Sequence, residues 1–192
     1  NFHQSGTNEW LGIGKWVTPL VGFRFGGMGQ QYYWSSQPYR NTESYSSNRH
    51  HAMLMVRGEV LVNLLNFSRA NRQRTEDPLW ELDWSGGMHY GHNVRTNSLS
   101  RPNLIRNWMH GFTTAVQALY RLSPGSYIFV EPRYFNNLYP GFFSETSTGK
   151  SHNNDNFFTL NVGARVYTAP SSVRKENDGV FNRNVWVGLG FG

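Results

Sequence analysis

The segment from Ala52 to Phe67 alternates with a period of two, and its two faces are unlike. Leu54, Val56, Gly58, Val60, Val62 and Leu64 share one face, while Met55, Arg57, Glu59, Leu61 and Asn63 share the other. Successive side chains of an extended strand point to opposite sides, so this pattern describes a strand with one apolar side and one side that carries ions. It recurs in Leu79–His92, where Trp80, Leu82, Trp84, Gly86, Met88 and Tyr90 oppose Glu81, Asp83, Ser85, Gly87 and His89. Met109–Leu122, Tyr127–Phe135, Phe157–Tyr167 and Val185–Phe191 follow the same rule. Near the start, Val21, Phe23 and Phe25 flank Gly22, Arg24 and Gly26, and Glu9–Trp16 is the least regular of the set. About eight strands are thus visible, and the fold class is all-β.

The composition of the polar face decides what kind of sheet this is. A sheet with one face in water carries mostly Lys, Thr and Ser on that face. Here it carries Arg24, Arg57, Arg121, Arg133 and Arg165 with Glu59, Glu81, Asp83 and Glu131, interspersed with Asn and Gly. Such ions can pair with one another inside a closed cylinder, leaving the apolar face outward, toward lipid. No run approaches the roughly 18 apolar residues of a membrane helix. The mean hydropathy of -0.57 is no objection to a membrane barrel, because the two faces cancel along each strand. Aromatics at 16% and 20 glycines suit packed strands better than helices. The expected fold is an antiparallel up-and-down transmembrane β-barrel.

Connection lengths give it an orientation. Thr18-Pro19 and Ser123-Pro124-Gly125 read as tight turns, since Pro sets φ and Gly accepts the left-handed region. Phe67–Pro78 is intermediate, and Tyr33–His51, His92–Asn107 and Asn136–Asn156 are long, polar and rich in Asn, Ser and Gly. Short periplasmic turns and long outer loops are the outer-membrane arrangement. Counting strands from a periplasmic Thr18-Pro19 turn leaves Val185–Phe191 ending outside. The expectation is therefore that residues 1–192 form one barrel domain incomplete at both ends, within a barrel of ten or more strands; the alternative is that one weak segment, Glu9–Trp16 or Val185–Phe191, is not a spanning strand.

The run Leu11-Gly12-Ile13-Gly14-Lys15-Trp16-Val17-Thr18-Pro19, followed by Val21-Gly22-Phe23-Arg24-Phe25, resembles the barrel region of OmpA-like outer-membrane proteins of the Bacteroidetes. Met53–Phe67, with Glu59 and the Asn-Leu-Leu-Asn run at 63–66, looks like the strand that follows there. Tyr127–Tyr134, with Glu131-Pro132-Arg133, looks like a late strand of the same barrel. The resemblance implies a barrel that stabilises the envelope of a Gram-negative bacterium, in some members joined to a peptidoglycan-binding domain.

Several constellations bear on function. The interior charges Arg24, Arg57, Glu59, Glu81, Asp83, Arg121, Glu131, Arg133 and Arg165 form either a selectivity lining or a plug of salt bridges. A barrel of eight to ten strands favours the plug, because side chains mostly fill its interior. Arg40, Arg49, Arg95, Arg101, Arg106 and Lys150, in the long loops, are candidate contacts for lipopolysaccharide phosphates. His50-His51 and His89…His92 are spaced so that each pair points to opposite faces of a strand, which disfavours a shared metal. Ser85, His89 and Asp83 share a face, yet i and i+4 on a strand are about 13 Å apart, too far for a nucleophile–base hydrogen bond. Cys is absent, which removes disulfides and thiolate chemistry. Trp10, Trp16, Tyr32, Tyr33, Trp34, Trp80, Trp108, Tyr127 and Tyr139, near strand ends, fit two interfacial girdles.

The functional expectation is a non-enzymatic scaffold in the outer membrane, without cofactor or metal. It would serve as a structural subunit of a larger envelope complex or as an anchor for further domains. Its partners would be outer-membrane lipids, lipopolysaccharide and other envelope proteins. The net charge of +6 permits anionic partners, but aromatics on the apolar face argue against nucleic acid. The alternatives are a small-solute channel or porin, and a soluble β-barrel that binds a ligand.

Overall fold

The computed structural model describes residues 4–18, 20–35, 48–67, 78–96, 104–138, 156–168 and 185–192. Eight strands run in chain order: β1 (Gln4–Trp16), β2 (Val21–Ser35), β3 (Asn48–Asn63), β4 (Trp80–Thr96), β5 (Leu104–Ser123), β6 (Ser126–Asn137), β7 (Asn156–Tyr167) and β8 (Val185–Phe191). Each pairs antiparallel with its sequence neighbour, and β8 pairs with β1, Trp186 opposite Gly14, to close the barrel. The fold is thus the expected all-β, antiparallel up-and-down barrel. It closes with eight strands rather than ten or more, because the outer edge of β1 from Glu9 to Lys15 is taken by β8.

The register accumulates a stagger of about ten residues round the ring, which tilts the strands by about 40° to the axis. That tilt makes the interior narrow enough for side chains to fill it.

Parity along each strand sorts the residues as the alternation predicts. Leu11, Phe23, Leu54, Met88, Phe112, Val130, Phe158 and Leu189 face outward and are exposed. Arg24, Arg57, Glu59, Glu131 and Arg133 face inward and are buried. The core of this protein is therefore the inside of the cylinder, and it is largely polar.

The strands are longer than the hydrophobic alternation suggests. β3 begins at Asn48 and β4 runs to Thr96, well into segments that read as loops. Beyond the apolar band both faces turn polar, so hydrophobic period two vanishes while backbone pairing continues. Conversely, β3 stops at Asn63, short of the expected Phe67, and Leu64–Phe67 forms one helical turn, α1. Asn63 starts that turn, its Oδ1 accepting a hydrogen bond from the Asn66 N–H at 3.0 Å.

The two tight turns lie at the same end, called the turn end below. Pro124 and Gly125 join β5 to β6, and Gly125 has φ 80°, the left-handed value that a proline–glycine turn requires. Thr18 Oγ1 accepts from the Leu20 and Val21 N–H groups at 3.2 and 2.9 Å. The connections 64–79 and 168–184 also lie at this end, so short and long connections do not separate cleanly between the two ends.

Candidate functional site

The barrel interior holds the densest constellation of ions in the described residues. β2 contributes Arg24, β3 contributes Arg57 and Glu59, and β6 contributes Glu131 and Arg133. All five are buried. Arg24 bridges two carboxylates: its Nε reaches Glu59 Oε2 at 2.6 Å and its Nη1 reaches Glu131 Oε2 at 2.7 Å. Arg133 bridges the same pair from the other side, with Nε on Glu131 Oε1 at 3.0 Å and Nη1 and Nη2 on Glu59. The four groups form a ring in which each cation meets both anions. Guanidinium suits this task because its fork of donors serves two carboxylates at once.

Neutral partners tie the ring to the rest of the wall. Arg24 Nη2 donates to Ser85 Oγ on β4 at 3.1 Å, and Arg133 Nη1 donates to Thr113 Oγ1 on β5 at 2.8 Å. Asn161 on β7 donates to Glu131 Oε1 at 3.4 Å. Arg57 takes the outermost place: its Nε lies 3.4 Å from Glu59 Oε2, and its guanidinium sits over the Trp10 ring of β1, 4.9 Å from the centroid. Arg24 lies 5.4 Å from the same ring. One cluster thus staples β1 to β7 from within.

A second cluster lies nearer the turn end. Arg165 Nη1 meets Asp83 Oδ2 at 2.7 Å and Glu81 Oε2 at 3.6 Å, and its Nη2 donates to Gln117. Its guanidinium covers the Trp186 ring at 4.3 Å. Below it Trp16 Nε1 donates to Tyr167 Oη at 2.9 Å, joining β1 to β7. The upper cluster has one cation in excess and the lower one anion in excess. Among the described residues the two clusters balance, with Arg24, Arg57, Arg133 and Arg165 against Glu59, Glu81, Asp83 and Glu131.

Eight of the nine sequence-predicted interior charges fall in these two clusters. Arg121 does not. It keeps the inward parity of β5, but it lies at the turn end, where the β5–β6 register shifts between Arg121 and Ser123, and it is only half-buried. Height along the strand, which alternation does not encode, puts it at the rim.

Three of the predicted girdle aromatics are corrected. Trp10, Trp16 and Tyr127 point inward and are buried. Trp80 and Trp108 do face outward, at 55% and 59% exposure. The side chains of Tyr32, Tyr33, Trp34 and Tyr139 lie outside the described set. The signal for an inward Trp10 was available in the glycines: Gly12, Gly188 and Gly190 share its face on β1 and β8, and a Cβ on any of them would meet the Trp10 indole. Trp186, which carries the lower cluster's cation–π contact, was missed for the same reason.

Of the predicted loop cations, Arg40, Arg101 and Lys150 lie outside the described residues. Arg49, Arg95 and Arg106 sit on the adjacent strands β3, β4 and β5 at the end opposite the tight turns, Arg49 pairing with Trp34 and Arg106 with Val94.

Ser85, His89 and Asp83 turn to different partners. Ser85 meets Arg24, Asp83 meets Arg165, and His89 Nε2 lies 2.7 Å from Asn137 Oδ1 with its ring edge-on to Phe135. No nucleophile–base pair forms among them. Chemically, the interior holds paired charge: its ionic ring links β2 and β3 to β6 across the lumen, with every member buried. No family model and no curated protein matches the chain.

Proposed function

We propose that this chain is the membrane-spanning barrel of an outer-membrane protein of a Gram-negative bacterium, acting as a non-enzymatic anchor or scaffold with a plugged lumen. The observation that carries the reading is the inverted arrangement of polarity, with apolar side chains outward and paired ions inward. In water this would expose a large continuous apolar surface, which monomeric soluble proteins avoid. In lipid it satisfies every strand at once.

The spacing of outward aromatics supports a bilayer of the right thickness. Trp80 packs edge-on to Tyr120 near the turn end, and Tyr90 stacks with Trp108 toward the other. Trp80 and Tyr90 are ten positions apart on β4. At about 3.3 Å per residue and a tilt of about 40°, that is about 25 Å along the axis, the height of the apolar band of an outer-membrane barrel. The tight turns favour the periplasm for the turn end. The opposite end, with Arg49, Arg95 and Arg106, would then face lipopolysaccharide.

The ionic ring supports a scaffold over a porin, because it fills the lumen at mid-height. The role envisaged is a subunit of an envelope assembly or an anchor for further domains, as the OmpA-like resemblance implies. The test is refolding of the purified chain into phosphatidylcholine vesicles, followed by planar-bilayer recording. Heat-sensitive electrophoretic mobility with insertion and background conductance is the expected result. Steady unitary conductance would make it a channel. A monodisperse protein in detergent-free buffer would make it a soluble barrel.

A further inference from the structure

The outward wall is not uniformly ridged. A groove of about 750 Å³ crosses β1 to β4, from Lys15 near the turn end, past Phe23 and Phe25, over Gly58 and Gly86, to Met88. Its floor is glycine, and at Gly58 the barrel does not require it. A Cβ at Gly58 would meet only the Phe25 ring, at 4.0 Å. Nearby, a Cβ at Gly29 would meet nothing within 4 Å, and one at Gly27 only the Met55 carbonyl at 3.9 Å. Glycine inside a strand weakens it and often marks a bulge, a bend or a site where a ligand or another backbone comes close. At Gly58 the open side is the outward one.

One end of the groove is charged. Lys15 is the only Lys or Arg on the outward faces of the strands whose side chains are described, and it stands one residue from the end of β1. A lysine so placed extends its ammonium to the polar boundary while its methylenes stay on the apolar wall. The other outward ion of β1, Glu9, lies six positions away toward the opposite end. A cation at one end of an apolar trough over glycine complements an anionic headgroup attached to a hydrocarbon chain.

We propose that this groove binds one glycerophospholipid of the turn-side leaflet, its phosphate on Lys15 and one acyl chain lying over Gly58 between Phe25 and Met88. This rests on the membrane-barrel reading given above. A second groove, over Ala118 and Gly163 between Trp80 and Val162, has no Lys or Arg among its lining residues and serves as the control.

The test titrates the folded barrel in dodecyl maltoside with dioleoyl phosphatidylglycerol and counts retained lipid by native mass spectrometry. The wild-type chain should retain one lipid. Lys15→Gln should weaken retention about fivefold, the factor one lysine contributes at an anionic membrane surface, and Gly58→Phe, whose ring fills the trough, should weaken it too. Ala118→Phe should leave it unchanged. Gly58→Leu accompanies Gly58→Phe in case the larger ring impairs folding, and heat-sensitive mobility verifies each variant. Equal retention in all variants, or an equal loss with Ala118→Phe, overturns the proposal. If the same preparations still insert into vesicles, only the groove assignment fails; if they do not insert, the membrane reading fails with it.

Discussion

The indole of Trp186 on β8 lies directly against Gly14, its Cα partner across the seam on β1. The residue that closes the barrel is a tryptophan, and it fits because the facing strand presents no side chain. A methyl group at Gly14 would overlap the ring. Gly14→Ala should therefore lower stability by about 1–3 kcal/mol, the usual cost of overpacking. Gly29→Ala, whose Cβ enters open space, should be neutral or stabilising by about 0.5 kcal/mol, since alanine is the better strand residue. Urea midpoints in detergent, followed by tryptophan fluorescence, separate the two. Equal losses would mean that Trp186 does not sit against Gly14.

The ionic ring predicts unequal costs for its members. Glu131→Ala removes a carboxylate shared by Arg24 and Arg133, leaving both guanidinium groups short of a partner. Breaking a buried pair in this way costs about 3–5 kcal/mol. Arg57→Met removes a cation held by a 3.4 Å contact to Glu59, a weak donation to Met28 Sδ at 3.8 Å and the Trp10 ring, and Glu59 keeps two other arginines. Its cost should be about 1–2 kcal/mol. Similar unfolding free energies for the two variants would count against the geometry of the ring.

A charge placed outward tests the environment of the wall. Val60 lies between Phe23 and Gly86 at mid-height, while Asn136, outward on β6, lies near its end. If the wall meets lipid, Val60→Arg should cost about 2–4 kcal/mol and Asn136→Arg about 0–1 kcal/mol. Refolding yield into vesicles reads the difference. A barrel indifferent to arginine at Val60 does not have lipid there.

The Trp16–Tyr167 hydrogen bond links β1 to β7 beneath the lower cluster. Trp16→Phe should cost about 1 kcal/mol for the bond, beyond any loss of ring area. Tyr167→Phe should cost a similar amount, and the double variant should show coupling of about 1 kcal/mol. Strictly additive losses would mean that the two groups do not meet.

Much of this architecture was legible before the structure. Period-two patterning located all eight strands and assigned Arg24, Arg57, Glu59, Glu131 and Arg133 to one face, because strand parity is a local property of the chain. The tight turn at Pro124-Gly125 followed equally from local backbone preference. Strand ends were misplaced where both faces became polar, as at Asn48 and Thr96. There the hydrophobic signal stops, although hydrogen bonding does not.

What parity could not supply was position along the axis and closure round it. It gave Arg121 the correct face and could not place it at the rim. It left Trp10 and Trp16 as plausible girdle residues, although the glycines beside them called for rings inside. The eight-strand closure depends on β8 pairing with β1 from Glu9 to Lys15, and the separate ionic clusters depend on the stagger accumulated across every strand pair. The sequence alone determined which residues share a face, since each side chain's direction is set by its own backbone. Only the tertiary structure decided which arginine meets which carboxylate, because that requires the tilt of the whole ring.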